Sequence, residues 1–346
     1  YVGDRLGRRT AVLSSVVSMA IPTCLIAILP TYAQIGILAP LLLIILRLGQ
    51  GLAVGGEYTT SLVLLVEQAV PSRRGRAGSF APFGAFGGLL LGSAIGWAIT
   101  ASITPEQAAL WGWRLAFLMG LAIGIIVYLI RRRLPREMPI VAPVTEQSPL
   151  MDAFRTQKRA MLETIGFNLA NAIGFYLCFV FSTTWLHNVA AVPVPVALLL
   201  NSIGLGIMML MTPFLGALSD RIGRRTVLFI GAIGLAILSV PLLSLMGRGT
   251  VPAIVLGQFG LEILIGCFAG AGPAFMVEAF PKHVRCSGLS VGYNLAMSVF
   301  GGTLPMVAVY LITRTGNVFA PAWYLVAAAI VTGLMTAIMH REESEA

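Results

Sequence analysis

The sequence predicts an all-α integral membrane protein, and three observations support this fold class. Apolar residues make up 57% of the 346 residues and charged residues only 11%, with a mean hydropathy of +0.89, whereas soluble domains carry far more charge. Ten apolar stretches are each long enough to cross a bilayer core, which takes about 20 helical residues. Basic residues are concentrated in alternate loops between those stretches.

Each apolar stretch is expected to be a helix, because lipid offers no hydrogen-bond partner to an open backbone. The predicted spans cover, in order, residues 10–30, 36–66, 79–101, 113–131, 160–186, 195–215, 227–246, 251–277, 288–313 and 320–340.

The basic residues orient these spans. Arg248 and Arg314 lie in loops on one side, and nearly all other loop arginines and lysines lie on the opposite side. Such a bias marks the cytoplasmic side of a membrane protein. The net charge of +9 therefore reflects topology, and a nucleic-acid partner, which would need a clustered basic surface, is not expected.

A charged string occurs twice, as DRLGRRT from Asp4 to Thr10 and as DRIGRRT from Asp220 to Thr226. Each copy leads into an apolar run, so the repeat predicts two related halves, a construction that secondary transporters use. Aligning the copies leaves four spans in the first half and six in the second. We therefore expect the intact protein to have twelve spans, with the first two missing from this chain.

The predicted organisation is a bundle over 1–131, a polar linker over 132–159 and a six-helix bundle over 160–346. Ser148 and Pro149 predict the start of a short cytoplasmic helix in the linker, since serine is a good N-cap and proline a good first helical residue.

Further motifs lie between and after the two strings. They are Arg47 with Gln50-Gly51, Gly55-Gly56-Glu57-Tyr58, Glu67 with Arg73-Arg74-Gly75, Trp111-Gly112-Trp113-Arg114, Glu137 with Pro139, Glu278 through Arg285, and Tyr293-Asn294 leading to Gly301-Gly302 and Pro305. In this order they resemble the major facilitator superfamily, and within it the metabolite:proton symporter family. The resemblance implies a major facilitator fold with ten of twelve transmembrane helices present, in two pseudo-symmetric bundles.

The resemblance also implies a secondary active transporter that works by alternating access and no enzyme activity. We expect proton-coupled symport of a small organic acid, such as a di- or tricarboxylate or a keto acid, in a multi-pass protein of the bacterial inner membrane. Uptake of the osmolytes proline or betaine with protons is the main alternative. A non-transporting membrane sensor on the same fold is an alternative of a different class. The expected partners are the substrate, protons and lipid, with no cofactor or metal, in a monomer.

Three charged residues lie deep within predicted spans: Arg47, Glu57 and Glu262. A charge at mid-bilayer costs about 2.5–3.5 kcal/mol on insertion scales, so such residues are functional candidates. Glu57 stands ten residues beyond Arg47, roughly 15 Å along the helix, so the two do not pair. In the resembled fold the spans of Arg47 and Glu262 both line the central cavity, and we expect the two residues to face it from opposite halves.

An arginine fork suits a carboxylate substrate, and removal from water favours the neutral form of a carboxyl group. We therefore expect proton coupling at Glu57 or Glu262. The residues expected to bind substrate are Arg47, Gln50, Tyr58, Asn168, Asn171, Tyr176, Tyr293 and Asn294. Structural alternatives remain open: helix packing for Glu57, a contact within its own half for Glu262, an ion pair for Arg47 and interhelical amide contacts for the asparagines.

The repeated strings predict a second site at the cytoplasmic rim. Asp4 and Asp220 are expected to accept backbone N–H groups at the first turn of the following span. The arginines are expected to pair with Glu67 and Glu278, and the resemblance implies a latch that holds the halves together when the transporter faces outward. Its residues are Asp4, Arg8, Arg9, Glu67, Asp220, Arg224, Arg225 and Glu278. The alternative is that these arginines only anchor the topology.

Overall fold

A computed structural model describes residues 8–131 and 149–339, and every regular element in these ranges is helical. The first of the two ranges contains α1 (Arg8–Ala27), α2 (Tyr32–Ile35), α3 (Leu38–Glu67), α4 (Arg74–Gly78), α5 (Phe80–Ser102), α6 (Pro105–Gln107) and α7 (Trp113–Arg131). A 3-10 turn, Pro71–Arg73, precedes α4, and a π turn, Ala108–Gly112, leads into α7.

The second range contains α8 (Pro149–Thr156), α9 (Lys158–Tyr176), α10 (Ser182–Ala190), α11 (Val194–Ile222), α12 (Arg224–Met246), α13 (Val251–Val277), α14 (Arg285–Leu295), α15 (Leu304–Thr315) and α16 (Ala320–Ile338). Two π turns make longer helices of these: Leu177–Phe181 joins α9 to α10, and Ala296–Gly301 lies between α14 and α15.

The structure places a helix on each of the ten predicted spans, which confirms the all-α membrane fold. Within the described residues, nine helical segments have the length and apolar composition of a span, and a tenth, Leu13–Ala27, is apolar but shorter. Their outward faces are apolar: Phe214 is 74% exposed and Ile237 65%, as expected of side chains that face lipid. The short helix predicted at Pro149 is also present, as α8.

One boundary differs from the prediction in a way that matters below. The span predicted over 195–215 continues as α11 to Ile222, so Asp220 lies in the last turn of α11. Gly223 follows with φ of +94°, a conformation that side chains disfavour, and α12 begins at the next residue. Glycine there permits an abrupt change of chain direction between two helices.

The chain packs as two compact units, Tyr1–Ser61 with Gly88–Pro149 and Leu62–Gly87 with Leu150–Ala346. Small residues make the helix contacts in each unit, as is common in membranes. In the first unit, a Cβ at Gly124 would touch Ala20 at 3.5 Å. In the second, a Cβ at Gly257 of α13 would lie 2.5 Å from the carbonyl oxygen of Leu242 on α12. The predicted division into bundles at residues 132–159 stays a prediction.

Candidate functional site

Arg47 is exposed about a third of the way along α3 and is held by two neighbours in the first unit. Its Nη1 donates to Gln50 Oε1 at 3.2 Å, and its guanidinium lies 5.7 Å from the centre of the Phe117 ring, a cation–π distance. Among the described residues, Arg47 forms no ion pair. The fork is thus oriented by an amide and a ring and has donors left for an anion.

Gln50 connects Arg47 to α1. It is 5% exposed, and its Nε2 donates to Thr23 Oγ1 at 2.8 Å, while Thr23 donates in turn to the Met19 carbonyl at 2.7 Å. The predicted shared face of Arg47 and Gln50 is therefore present. The arrangement makes Gln50 a support for the guanidinium, and its predicted contact with substrate stays a prediction.

Glu57 and Tyr58 are half-buried on α3, and each has interaction partners. Arg114, near the start of α7, has its guanidinium 4.3 Å from the Trp113 ring centre. Its two terminal nitrogens donate to the carbonyls of Leu110 and Leu29. Arg114 is thereby occupied as an anchor, in contrast to Arg47.

Glu262 is completely buried in α13 of the second unit. Gln258, one helical turn earlier and 1% exposed, donates from Nε2 to Glu262 Oε1 at 2.9 Å. The carboxyl group lies against Gly204 of α11, where a Cβ would be 2.2 Å from Oε1. The carboxyl thus contacts residues of its own half, and sequence reasoning missed both Gln258 and Gly204. The i, i+4 spacing of Gln258 and Glu262 is a signal that could have identified the first.

The predicted residues of α9 separate by burial. Asn168 is 1% exposed and donates from Nδ2 to the Thr164 carbonyl at 3.0 Å and to Met276 Sδ at 2.9 Å, so it joins α9 to α13. Asn171 is half-buried. Tyr176, also half-buried, packs on Gly301, where a Cβ would lie 2.7 Å from its ring.

Tyr293 and Asn294 lie on α14, half-buried and each with partners. The Asn294 carbonyl accepts a hydrogen bond from Ser298 Oγ at 2.6 Å. Their predicted role in binding substrate stays a prediction.

A cluster of opposite charges occupies the predicted cytoplasmic rim of the second unit. We call it the charge cluster, and it consists of Glu67, Arg74, Asp220, Arg224, Glu278 and Arg285. Arg224 donates from Nη1 to Glu278 Oε2, and Arg74 Nη1 lies 3.7 Å from Glu278 Oε1. The predicted pairing of Arg224 with Glu278 is therefore present, and Arg74 adds a second cation.

Asp220 corrects the prediction that this acid caps the span following its own string. Its Oδ1 accepts from the backbone N–H of Gly75 and its Oδ2 from that of Arg76, both at 2.8 Å. These groups lie in the first turn of α4, so Asp220 caps a helix distant in sequence. The local expectation was wrong because α11 extends through Asp220 and leaves it no free turn of α12 to cap.

The other predicted members of the cluster differ in outcome. Glu67 accepts from Arg285 Nη1 at 2.9 Å, a partner that was not predicted. Arg225 was expected to pair with an acid, and instead its Nη2 donates to the Met339 carbonyl at 2.6 Å. Asp4 and the side chains of Arg8 and Arg9 lie outside the described residues.

Comparison with known proteins places this geometry in context. A family model described as Major Facilitator Superfamily matches residues 1–212 and 194–346. Two proteins named proline/betaine transporter, from Salmonella typhimurium and Escherichia coli, are each 31% identical over 356 residues, covering 99% of this chain and 70% of the relative.

Solved structures agree in fold. The proton:xylose symporter XylE superposes with a TM-score of 0.75 at 18% identity, covering 99% of this chain and 82% of that one. The Escherichia coli fucose:proton symporter FucP gives 0.73 at 13% identity, covering 99% and 86%. At these identities the likeness extends to the fold alone.

Proposed function

Because the chain belongs to the Major Facilitator Superfamily, we propose that it is a symporter that takes up proline or betaine together with protons. Family and fold are those of a transporter rather than an enzyme, and the protein is a multi-pass protein of the bacterial inner membrane. The observation that carries the proposal is the 31% identity, over 99% of the chain, to two proteins named as proline/betaine transporters.

The charge available in the described spans supports a substrate with one carboxylate. Arg47 lies about a third of the way along the described span Leu38–Glu67 and forms no ion pair there, whereas Arg114 is bound to two carbonyls. A single guanidinium matches the single carboxylate of proline or betaine. A di- or tricarboxylate would bring further negative charges into the membrane, and the described spans offer no second unpaired cation beside Arg47 to match them.

The organic-acid hypothesis therefore loses its main support. It depended on Arg47 as an anion site, and Arg47 serves the carboxylate of a zwitterion equally well. A keto acid with one carboxylate is the organic acid that fits this site best, and it is the competing substrate to test.

Proton coupling needs a carboxyl group that binds and releases a proton during transport. Glu57 and Glu262 are half-buried and buried acids well inside the described spans Leu38–Glu67 and Val251–Val277, and we place the coupled proton on one of them. The charge cluster then acts as the latch: ion pairs and the Asp220 cap hold Leu62–Gly87 against α11, α13 and α14 until the cytoplasmic side opens.

Uptake into proteoliposomes tests the proposal. Labelled proline, betaine, a keto acid and a tricarboxylate are offered with an inward proton gradient, with and without a protonophore. Accumulation of proline or betaine that the protonophore abolishes is expected. Accumulation of the carboxylic acids alone would replace the proposal with organic-acid symport, and proline uptake that is indifferent to the protonophore would remove proton coupling from it.

A further inference from the structure

In the part of the chain that the structure describes, two buried side-chain atoms of α13 have no hydrogen-bond partner. Gln258 Nε2 donates to Glu262 Oε1, but Gln258 Oε1 and Glu262 Oε2 are both buried and unpartnered. Buried polar atoms are rarely left in this state, so each such atom calls for an explanation. Here both unpartnered atoms belong to two groups that are already joined by one hydrogen bond.

The chemistry of the two atoms indicates what is missing. A carboxylate oxygen and an amide oxygen are both acceptors, so they do not satisfy each other. A proton on Glu262 Oε2 turns that atom into a donor, and the unpartnered amide oxygen of Gln258 is an acceptor on the side chain that already bonds Glu262 Oε1. One proton therefore satisfies both atoms, and the two side chains then form a reciprocal acid–amide pair with two hydrogen bonds.

The surroundings favour a proton over a metal cation or an ion pair. Among the described residues, no arginine, lysine or histidine pairs with Glu262. Glu262 itself acts electrostatically on the buried thiol of Cys178, in the π turn after α9. Hard cations bound in proteins take six or more oxygen ligands, and the pair has three side-chain oxygens, of which two are unpartnered.

Gly204 shows how tightly the carboxyl group is seated. A Cβ at this position would lie 2.2 Å from Glu262 Oε1 and 2.7 Å from Oε2, so glycine is the residue that leaves room for the acid. The carboxyl group fills the space between α11 and α13. A movement of the carboxyl group toward α11 would therefore push these two helices apart.

We propose that Glu262 and Gln258 hold one exchangeable proton between Glu262 Oε2 and Gln258 Oε1, and that Gly204 transmits its loss to α11. When the proton leaves for water, a carboxylate faces an amide oxygen, two acceptors in contact, and the pair separates against Gly204. No electron is transferred, and the proton is the only species exchanged. Gln258 is a positioning residue in this scheme, and the role of the proton in symport rests on the proposed function.

Infrared spectroscopy of the protein in lipid vesicles tests the pair without measuring transport. The C=O stretching band of a protonated carboxyl group stands apart from carboxylate and amide bands, and labelling glutamate with carbon-13 assigns it to glutamate. We expect a glutamate band that moves on exchange into deuterated water and is lost on titration to high pH. The absence of such a band in the unsubstituted protein would overturn the proposal.

Three variants assign the band. Glu262→Gln is expected to remove it, while Glu163→Gln retains it, because Glu163 accepts from Arg159 at 2.7 Å as a carboxylate. Gln258→Leu keeps the acid but removes its acceptor, and the band is expected to move to the higher frequency of a carboxyl group without that hydrogen bond. A band that survives Glu262→Gln, or that does not move in Gln258→Leu, would overturn the pair.

Two further measurements separate the alternatives. Exchanging sodium for potassium at constant pH leaves the band unchanged if the site holds a proton, and a sodium-dependent loss would overturn the proposal in favour of a cation. Uptake is measured on the same vesicles. Absent uptake with an intact band contradicts the proposed function and leaves the pair standing, whereas proton-driven uptake without the Glu262 band overturns the pair.

Discussion

Arg285 donates from Nη1 to Glu67 Oε1 at 2.9 Å and from Nε to the Phe280 carbonyl at 2.9 Å. Arg285 thereby fixes the end of α3 to the loop before α14, although Glu67 and Arg285 are far apart in sequence. Their side chains are 12% and 24% exposed, so the pair is shielded from water far more than a surface ion pair.

A double-mutant cycle on this contact is expected to give a coupling free energy of about 1 kcal/mol or more, within the range for residues in direct contact. Glu67→Gln, Arg285→Gln and the double variant are compared by the free energy of unfolding. The cycle Arg159→Gln with Glu163→Gln serves as control, because Arg159 is 74% exposed and exposed pairs contribute little. Equal coupling free energies in the two cycles would show that burial does not strengthen the ion pair between Glu67 and Arg285.

Asp220→Asn is expected to destabilise the protein by about 1–3 kcal/mol, because an amide nitrogen then faces a backbone N–H that a carboxylate oxygen satisfied. Thermal unfolding of the purified protein in one detergent measures the loss. Asp152→Asn is the control, since Asp152 is on α8 and its Oδ2 lies 3.4 Å from Nε2 of the exposed His283 ring. A Tm for Asp220→Asn that matches that of Asp152→Asn would show that the cap contributes little.

Gly75→Ala is expected to cost about 1–3 kcal/mol by overpacking. The new Cβ would lie 2.4 Å from Ser219 Oγ and 2.7 Å from the Gly216 carbonyl oxygen. Gly84→Ala, in the same unit, has no atom within 4 Å of the new Cβ and is expected to be neutral or stabilising, since alanine favours a helix over glycine. If both variants unfold at the same temperature, the close approach of α4 to α11 is not as tight as described.

Arg47→Gln is expected to weaken proline or betaine binding roughly 10- to 100-fold, which corresponds to the 1.5–3 kcal/mol of a hydrogen bond to a charged group. Arg47→Lys keeps the charge but loses the fork, and an intermediate loss is expected. The loss of affinity is measured as the Kd for binding to the purified protein and as the KM of uptake. Arg248→Gln, in an exposed turn after α12, is the matched control, and an unchanged affinity in Arg47→Gln would remove this residue from the substrate site.

The spans were predictable because their signal is local. About 20 consecutive apolar residues leave a backbone no alternative to a helix in lipid. Each of the ten stretches is contiguous in sequence, so its prediction needed no knowledge of tertiary contacts. The hydrogen bond between Arg47 and Gln50 was predictable for the same reason, since residues spaced three apart on a helix share a face.

The partners of the charges were predictable only where the chemistry left few choices. Arg224 with Glu278 follows from an arginine-rich string that needs an acid. The contact of Asp220 with α4 was not predictable in this way. An acid close in sequence to the start of a helix is expected to cap that same helix, which here is α12. The fit of Glu262 against Gly204 is a property of two packed helices, and neither sequence segment carries a signal for it.

The cap on α4 has a consequence for how this region can evolve. Asp220 accepts hydrogen bonds from the main-chain amides of Gly75 and Arg76. These bonds do not involve the side chain of Arg76. Arg76 can therefore change to any residue that keeps a backbone N–H, which excludes only proline, without weakening the attachment. Position 75 cannot, since any side chain larger than hydrogen would push the acid away from the amides it holds.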